Sequence, residues 1–368
     1  MAFPAASSPA WQNLPNGNFS PVIYSQKVQK AFRKSSVVED VTNTDYMGEI
    51  ANYGDSVRII KEPEITVSTY ERGTVLAKTN LADADFTMVI DQANYYMFKI
   101  DDIEAAHSHV NFMDLATDRA AYRLRDTFDS EVLGYLAGYV YDATNSRWIV
   151  RTATNGTKAD AAAGVDELLA ANKLSITNFG GAAVAGTTGT FVPAVTGAQT
   201  SALTSIPVAA GGGSNGVTSP LEILNRMGRL MDTANVDSSD RWFVADPVFY
   251  EVLMDENSKF VDRDFGGGSE IRNGRVGEGL IRGFRVYKSN NLAFVGTGPG
   301  TTASTGSRLN FGVLVAGHQS AVATAQQLSK TESYRDPDSF ADIVRGMQLY
   351  GRKILRPEAI VTANYNLA

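Results

Sequence analysis

Between Gly54 and Ile100 the chain spells two long strands that a compact domain does not need for its own core. Ser56–Ile60 and Glu64–Tyr70 (SVRII, EITVSTY) form one arm, and Phe86–Ile90 with Asn94–Ile100 (FTMVI, NYYMFKI) form the other. Ile65, Val67 and Thr69 alternate with Glu64, Thr66 and Ser68, which is the period of a strand with two different faces. About fifteen residues at strand rise reach roughly 50 Å. A lone two-stranded ribbon is marginal in water and needs a third surface to lie on. If the chain's own core does not supply that surface, a neighbouring subunit must, so assembly is expected before catalysis.

The composition narrows the function classes. A length of 368 suggests two or three domains or one elaborate one. No stretch approaches the roughly 18 consecutive apolar residues of a membrane span, and MAFPAASSPAWQN has neither the basic nor the apolar region of a secretory signal. The absence of cysteine excludes disulfides and thiolate metal sites. Lys+Arg 33 against Asp+Glu 40 gives a net charge of −7, which argues against a tight electrostatic grip on nucleic acid and favours solubility at high concentration.

Residues 1–22, with Pro4, Pro9, Pro15 and Pro21, read as an extended arm. Trp11 and Phe19 within it are candidate anchors, on a partner surface or on the chain's own body. Tyr24–Val41 has helical spacing, with Tyr24, Val28 and Phe32 on one face and Lys27, Lys30 and Lys34 on another, a solvated face in preference to a nucleic-acid contact. After the ribbon comes the longest helix, Asn111–Val140, roughly 45 Å long. Ala116, Ala120, Leu124, Phe128, Val132 and Leu136 form its apolar row, flanked by Met113, Ala121 and Leu133. Asp118, Arg119, Arg123, Arg125, Asp126 and Asp129 mark the expected wet side, and the helix reads as a spine.

Leu174–Leu221 carries no charged residue and is crowded with Gly, Ala, Thr and Ser. Its Ile176, Phe179, Phe191, Val195, Leu203, Ile206 and Val208 predict short strands or folded loops. A helix at Leu221–Thr233, a strand at Arg241–Ala245, a helix opened by Asp246-Pro247 and a strand at Phe284–Lys288 imply an α/β subdomain. Gly296–Gly306 reads as a second loop, and the apolar alternation from Phe311 ends in a terminal strand, AIVTANYNL.

Catalytic chemistry is sparse. His107-Ser108-His109 could place two imidazoles on one side of an extended segment, but that spacing alone is a poor metal signal, and His318 is the third and last histidine. There is no G-x-S-x-G, no phosphate loop and no H-E-x-x-H. The pairs Asp83/Asp85 and Asp336/Asp338 sit in turn-like contexts and are expected to be solvated. No catalytic residue, cofactor site or metal site is predicted.

Five stretches carry a resemblance: DIEAAHSHVNFMDLATDRAAYRLRDTFDSEVLGYLAGY at Asp102–Tyr139, DRWFVADPVFYEVL at Asp240–Leu253, GLIRGFRVYKSNNL at Gly279–Leu292, HQSAVATAQQ at His318–Gln327 and LRPEAIV at Leu355–Val361. In their order and spacing the chain resembles major capsid proteins of tailed double-stranded DNA bacteriophages, with the Hong Kong 97-type fold. The stretches are most similar to coat proteins of short-tailed, T-seven-like phages. The resemblance implies an α+β fold with an N-terminal arm and helix (1–52) and an extended β-hairpin loop (53–100) lying over the adjacent subunit. It further implies a peripheral domain with the spine helix (101–150 with 311–368) and an α/β axial domain (151–310), in which 174–221 is an insertion.

The implied function is self-assembly into pentamers and hexamers of an icosahedral shell around phage DNA, in the virion, after assembly in the host cytoplasm. The implied partners are further copies of the chain, a scaffolding protein, a portal at one vertex, a decoration protein and DNA held by weak contacts, with no membrane. Expected inter-subunit contacts are Trp11, Phe19, Tyr70, Glu71, Arg72, Lys78, Asp83 and Asp85. The expected spine core is Ala120, Leu124, Phe128, Val132 and Leu136. Crosslinking through Lys78 and Asn80 at the ribbon tip is not expected, since a lysine in a polar loop is normally solvated. The rival readings are an encapsulin-type shell around enzymes, separated by its cargo, and a monomeric enzyme without a recognisable motif, separated by mass.

Overall fold

The computed structural model describes residues 36–45, 56–61, 65, 67, 69, 71–73, 84–102, 112–142, 147–150, 168–179, 190–191, 203–204, 206–209, 217–254, 281–293 and 311–367. The elements begin with helix α1 (Val38–Val41), strands β1 (Ser56–Lys61) and β2 (Ala84–Asp101), and helix α2 (Phe112–Ala137). Strands β3 (Tyr139–Asp142), β4 (Arg147–Val150), β5 (Lys173–Leu174), β6 (Thr190–Phe191), β7 (Leu203–Thr204) and β8 (Ile206–Val208) follow. Next come helix α3 (Pro220–Thr233), strand β9 (Arg241–Ala245), helix α4 (Pro247–Leu253) and strand β10 (Arg285–Lys288). Strands β11 (Phe311–His318), β12 (Val322–Arg335), β13 (Ala341–Ile354) and β14 (Ile360–Leu367) complete the order.

Two sheets organise these elements. The first has the order β1-β2-β13-β12 and is antiparallel throughout. Its long strands form a blade. The second has the order β10-β9-β11-β14-β5, with β8 also pairing to β14. Its strands alternate between two cores, as period-2 side chains require. Trp242, Val244, Val313 and Val315 face Val132, Leu133 and Leu136 of α2. Phe243, Ala245, Leu314 and Ala316 face Ile223, Leu224, Met227 and Met231 of α3 and Phe249 and Leu253 of α4. This sheet is therefore covered by helices on both sides.

Local sequence explains the helix ends. Pro220 and Pro247 occupy first-turn positions where a missing N–H costs nothing. Asp246 caps α4, its carboxylate accepting from Phe249 N at 3.1 Å. Helix α2 stops at Gly138, whose φ of +79° is the left-handed end that glycine permits.

Helix α2 ends at Ala137, short of the expected Val140, which lies in β3, because Gly138 turns the chain out of the helix. The sequence-based boundaries change in three further places. Strand β2 is one continuous strand, and only its first part forms the ribbon, from Ser56↔Val89 to Lys61↔Ala84. Its second part, including Asn94–Ile100, pairs with β13 of the same chain, from Ile90↔Gly351 to Asp101↔Ala341. That half of the ribbon therefore finds its third strand at home. In the expected strand Glu64–Tyr70, the described residues Ile65, Val67 and Thr69 lie outside any strand. The segment 311–368, expected to join the spine as one unit, divides: β12 and β13 build the blade, while β11 and β14 are inner strands of the second sheet.

The charge-free segment enters that second sheet at both ends. Leu174, Ile206 and Val208 are buried in the α3/α4 core, and Val208 bridges Thr218. Of the helix expected over Tyr24–Val41, the described part is Val38–Val41. The loop Gly296–Gly306 lies outside the described residues.

Candidate assembly surface

The blade presents two unlike faces. Toward α2, Tyr96 and Phe98 stack with ring centroids 6.2 Å apart, and Gly346 leaves the space that the Tyr96 ring fills. On the opposite face Tyr95 of β2 sits across from Met347 of β13, and Met97 sits across from Arg345. Tyr95 is 79% exposed, Met97 55% and Met347 41%. Phe340, at the turn joining β12 to β13, is 79% exposed, and Ile60, Ile65 and Val67 of the ribbon are exposed as well. Apolar side chains arrayed across neighbouring strands and left to water mark a contact surface.

An ion network rims this face. Glu332 accepts from Arg345 Nη2 at 2.8 Å and Nε at 3.1 Å, and pairs with Lys330. The Arg345 guanidinium lies 5.0 Å over the Tyr334 ring. The hydrogen bond from Lys330, then that from Arg345, holds the Glu332 carboxyl at about 2, against its ordinary 4.5. Asp336 is held low in the same way, by Ser339 Oγ and then by Asp338 N. A depressed carboxylate stabilises the fold above its unfolded value, and that contribution is lost as pH falls toward the folded value. The blade is therefore expected to loosen between pH 4.5 and about 2, and Glu332→Gln should flatten this dependence in thermal melts followed through that range. Tyr139 and Tyr350 act at the other extreme: burial raises both phenols, aided at Tyr350 by the charge of Glu131, so they disfavour the fold only above their ordinary 10.

Two carboxylates of the spine, one buried and one half-buried, hold the start of α1 and the blade. Asp129 is fully buried. Its Oδ1 accepts from Val37 N at 2.8 Å, Val38 N at 3.0 Å and Ser36 Oγ at 2.9 Å, and its Oδ2 accepts from Asn291 Nδ2 at 2.8 Å. It thus caps α1 and ties it to the loop after β10. This corrects its expected place on the wet side. Glu131, two residues on, accepts from Asn94 Nδ2 at 2.9 Å and from the Tyr350 hydroxyl.

Of the expected contact residues, Glu71 and Arg72 are exposed, beside Gly73 at φ +94°. Asp85 lies in β2 opposite Ile60. Trp11, Phe19, Tyr70, Lys78 and Asp83 lie outside the described residues, as do Asn80, His107 and His109. On the spine, Val132 and Leu136 are fully buried, while Ala120, Leu124 and Phe128 are half-buried and Ala121 is exposed. The helix therefore leaves the core along its first half. His318 has a structural role, its Nδ1 accepting from Ser320 N at 3.1 Å. Among the described residues no group of three or more His, Asp or Glu could hold a metal, and no helix is long and apolar enough to cross a membrane.

Helical phase could have found Asp129: Val132, Leu133 and Leu136 follow it at i+3, i+4 and i+7, so it continues the buried stripe. Its partners Val37 and Asn291, far away in sequence, give no local sign.

A family model described as phage capsid protein matches residues 174–363. No curated protein matches the chain. Among solved structures, one of Mycobacterium phage Che8 has a TM-score of 0.63 at 21% identity, covering 94% of this chain and 97% of that one. The Cyanophage Pam1 capsid asymmetric unit has a TM-score of 0.62 at 14% identity, with coverage of 95% and 97%. The capsid structure of Cyanophage P-SCSP1u has a TM-score of 0.58 at 19% identity, with coverage of 95% and 94%. These likenesses are of fold, and they extend over nearly the whole chain. With the family model spanning more than half of its residues, the chain belongs to the phage capsid protein family.

Proposed function

We propose that the chain is the major capsid protein of a tailed phage, a structural protein and not an enzyme, assembling into the pentamers and hexamers of an icosahedral shell. The observation that carries this reading is the family match over residues 174–363, which includes β12 and β13 of the blade whose apolar face stands open to water. A subunit that leaves Tyr95, Met97 and Met347 uncovered is completed by its neighbours. In this reading the spine helix and the blade form the peripheral part. The second sheet with α3 and α4 forms the axial part, including β11 and β14. The ribbon is the extended loop that reaches the adjacent subunit, with Glu71 and Arg72 at its tip.

Many modest contacts per subunit sum through multivalency, and each stays weak enough to correct errors. The net charge of −7 suits a container whose packed DNA should not adhere to its wall. A scaffolding protein, a portal and a decoration protein are the expected helpers, with assembly in the host cytoplasm. The five sequence stretches favour relatives among short-tailed, T-seven-like phages. An encapsulin-type shell would carry protein cargo in place of nucleic acid.

The test is size-exclusion chromatography with negative-stain microscopy on the full chain, expressed with and without its genomic neighbours. Megadalton shells, tubes or capsomers are expected. A stable species near 39.6 kDa under every condition would overturn the reading. Deleting residues 72–83 should leave a folded subunit that closes no shells, and closed shells from that deletion would remove the ribbon from the interface.

A further inference from the structure

The blade carries a fold line. Strand β13 runs through it without interruption, but both of its neighbours hold an extra residue at the same level. In β2, Ile90 pairs with Gly351 and Gln92 with Tyr350, so Asp91 is extra. In β12, Gln326 pairs with Tyr350 and Leu328 with Leu349, so Gln327 is extra. One bulge bends and twists a single strand. Two bulges flanking the same position of a shared central strand bend the whole sheet there. Gly351 fits that line, because a Cβ on it would meet Val89 O at 2.7 Å.

The spine helix grips the blade on both sides of this line. The Glu131 carboxylate takes the Tyr350 hydroxyl and Asn94 Nδ2, both at or beyond the line. Its main-chain carbonyl takes Arg352 Nη1 at 2.7 Å from the near side. Phe128 meets the Tyr350 ring edge-on, with centroids 4.8 Å apart. The near part of the blade is buried around Met88, Ile90, Ala323 and Ala325, whereas the far part carries the open apolar face. The far part is thus a lever held at its base. A change of about 10° at the line would move the end of a ten-residue strand, roughly 33 Å long, by about 6 Å.

We infer that Glu131 and Tyr350 are positioning residues that set the angle of the far blade against the spine helix, and that this angle selects the curvature at which neighbouring subunits meet. The second half of this inference rests on the shell-forming function proposed above; the first half does not.

The test uses two variants, Tyr350→Phe and Glu131→Ala, and two readouts. The chain has no cysteine, so spin labels placed through Ala121→Cys on the spine and Ser333→Cys on the far blade report the angle directly. Both label sites are exposed. Unassembled subunits of the otherwise unsubstituted chain should give one narrow distance, and the clamp variants a distribution wider by several ångströms. Microscopy of co-expressed particles should then show one diameter for the unsubstituted chain and additional diameters or tubes for the variants. An unchanged label distance in a folded Tyr350→Phe subunit overturns the clamp. A widened distance with shells of unaltered diameter overturns its link to curvature. If the unsubstituted chain forms no particle, the shell reading fails and the label distances still decide the clamp. Should Glu131→Ala fail to fold, Tyr350→Phe, which keeps the ring against Phe128, carries the test.

Discussion

Asp129→Ala is expected to lower the unfolding free energy by roughly 3–5 kcal/mol, because it removes one carboxylate on which several donors converge in a buried setting. Val37 N, Val38 N and Ser36 Oγ converge on one carboxylate oxygen and Asn291 Nδ2 on the other. Alanine would leave a void lined with N–H groups in a region where Val37 and Val38 are buried. Urea denaturation should show the loss as a shifted midpoint. Asp129→Asn is the finer probe. It keeps an acceptor for the α1 cap but turns its own amide toward the amide of Asn291. Combining it with Asn291→Asp restores a donor and an acceptor across that contact, so the double variant should be more stable than Asp129→Asn alone. A midpoint for Asp129→Ala within error of the unsubstituted chain would mean that the cap contributes nothing.

The second large effect is expected at Gly317→Ala. Gly317 sits in β11 directly across from Trp242 of β9, and the indole fills the room left by the absent side chain. A Cβ there would lie 2.5 Å from Trp242 Cζ2 and 3.0 Å from Cε2. Trp242 is 2% exposed, against the α2 core, so the ring has nowhere to retreat. Overpacking of this kind costs about 1–3 kcal/mol, and the position is in the middle of the second sheet, where backbone shifts would spread to β14. Adding Trp242→Phe removes the clashing ring. The two substitutions together should therefore cost less than the sum of their separate costs, which a double-mutant cycle measures. Simple additivity would refute the clash.

Phe128→Asp is a gentler case than the sequence suggests. An unbroken apolar row makes it look fully buried, whereas the ring is half-buried against Tyr350. The reason recurs along α2: periodicity shows which side of a helix is apolar but not how far along its length the core extends. From Val132 onward the row is enclosed, and before it the same pattern lies half open.

Elements whose identity is local were legible. Strand β9 has the bounds read from the sequence, and α3 begins one residue earlier than read, at Pro220. The apolar alternation and the proline and aspartate caps are themselves the forces that form these elements, so they could be read directly. Pairing was less legible. Strand β2 alternates before Asp91 and is apolar on both faces over Tyr95–Phe98 beyond it, but neither pattern names a partner, so nothing in its sequence announces that it leaves β1 for β13 after Val89. The division of 311–368 between two sheets left a trace in composition and burial, since β11 and β14 are buried at nearly every residue whereas the far part of β13 alternates, but apolar strands of either kind name no partner. Asp129 and Glu131 were missed because acidic residues in a charged helix read as solvated. What distinguishes them is a set of partners from Ser36, Asn94, Asn291 and Tyr350, brought close only by the complete fold.

The second sheet also imposes an order on biosynthesis. Lys173 must wait for Thr362, and Ile206 for Tyr365, because β14 is the strand that β5 and β8 join. At 5–20 residues per second that delay is on the order of ten seconds or more. Throughout it, the nascent chain displays Leu174–Leu221, a stretch with no charged side chain to discourage sticking to its neighbours on the same polysome. Crowding among unfinished subunits, more than the stability of the finished molecule, is therefore the expected limit on soluble yield. Slower initiation or a holding chaperone should raise the soluble yield more than any stabilising substitution in the core.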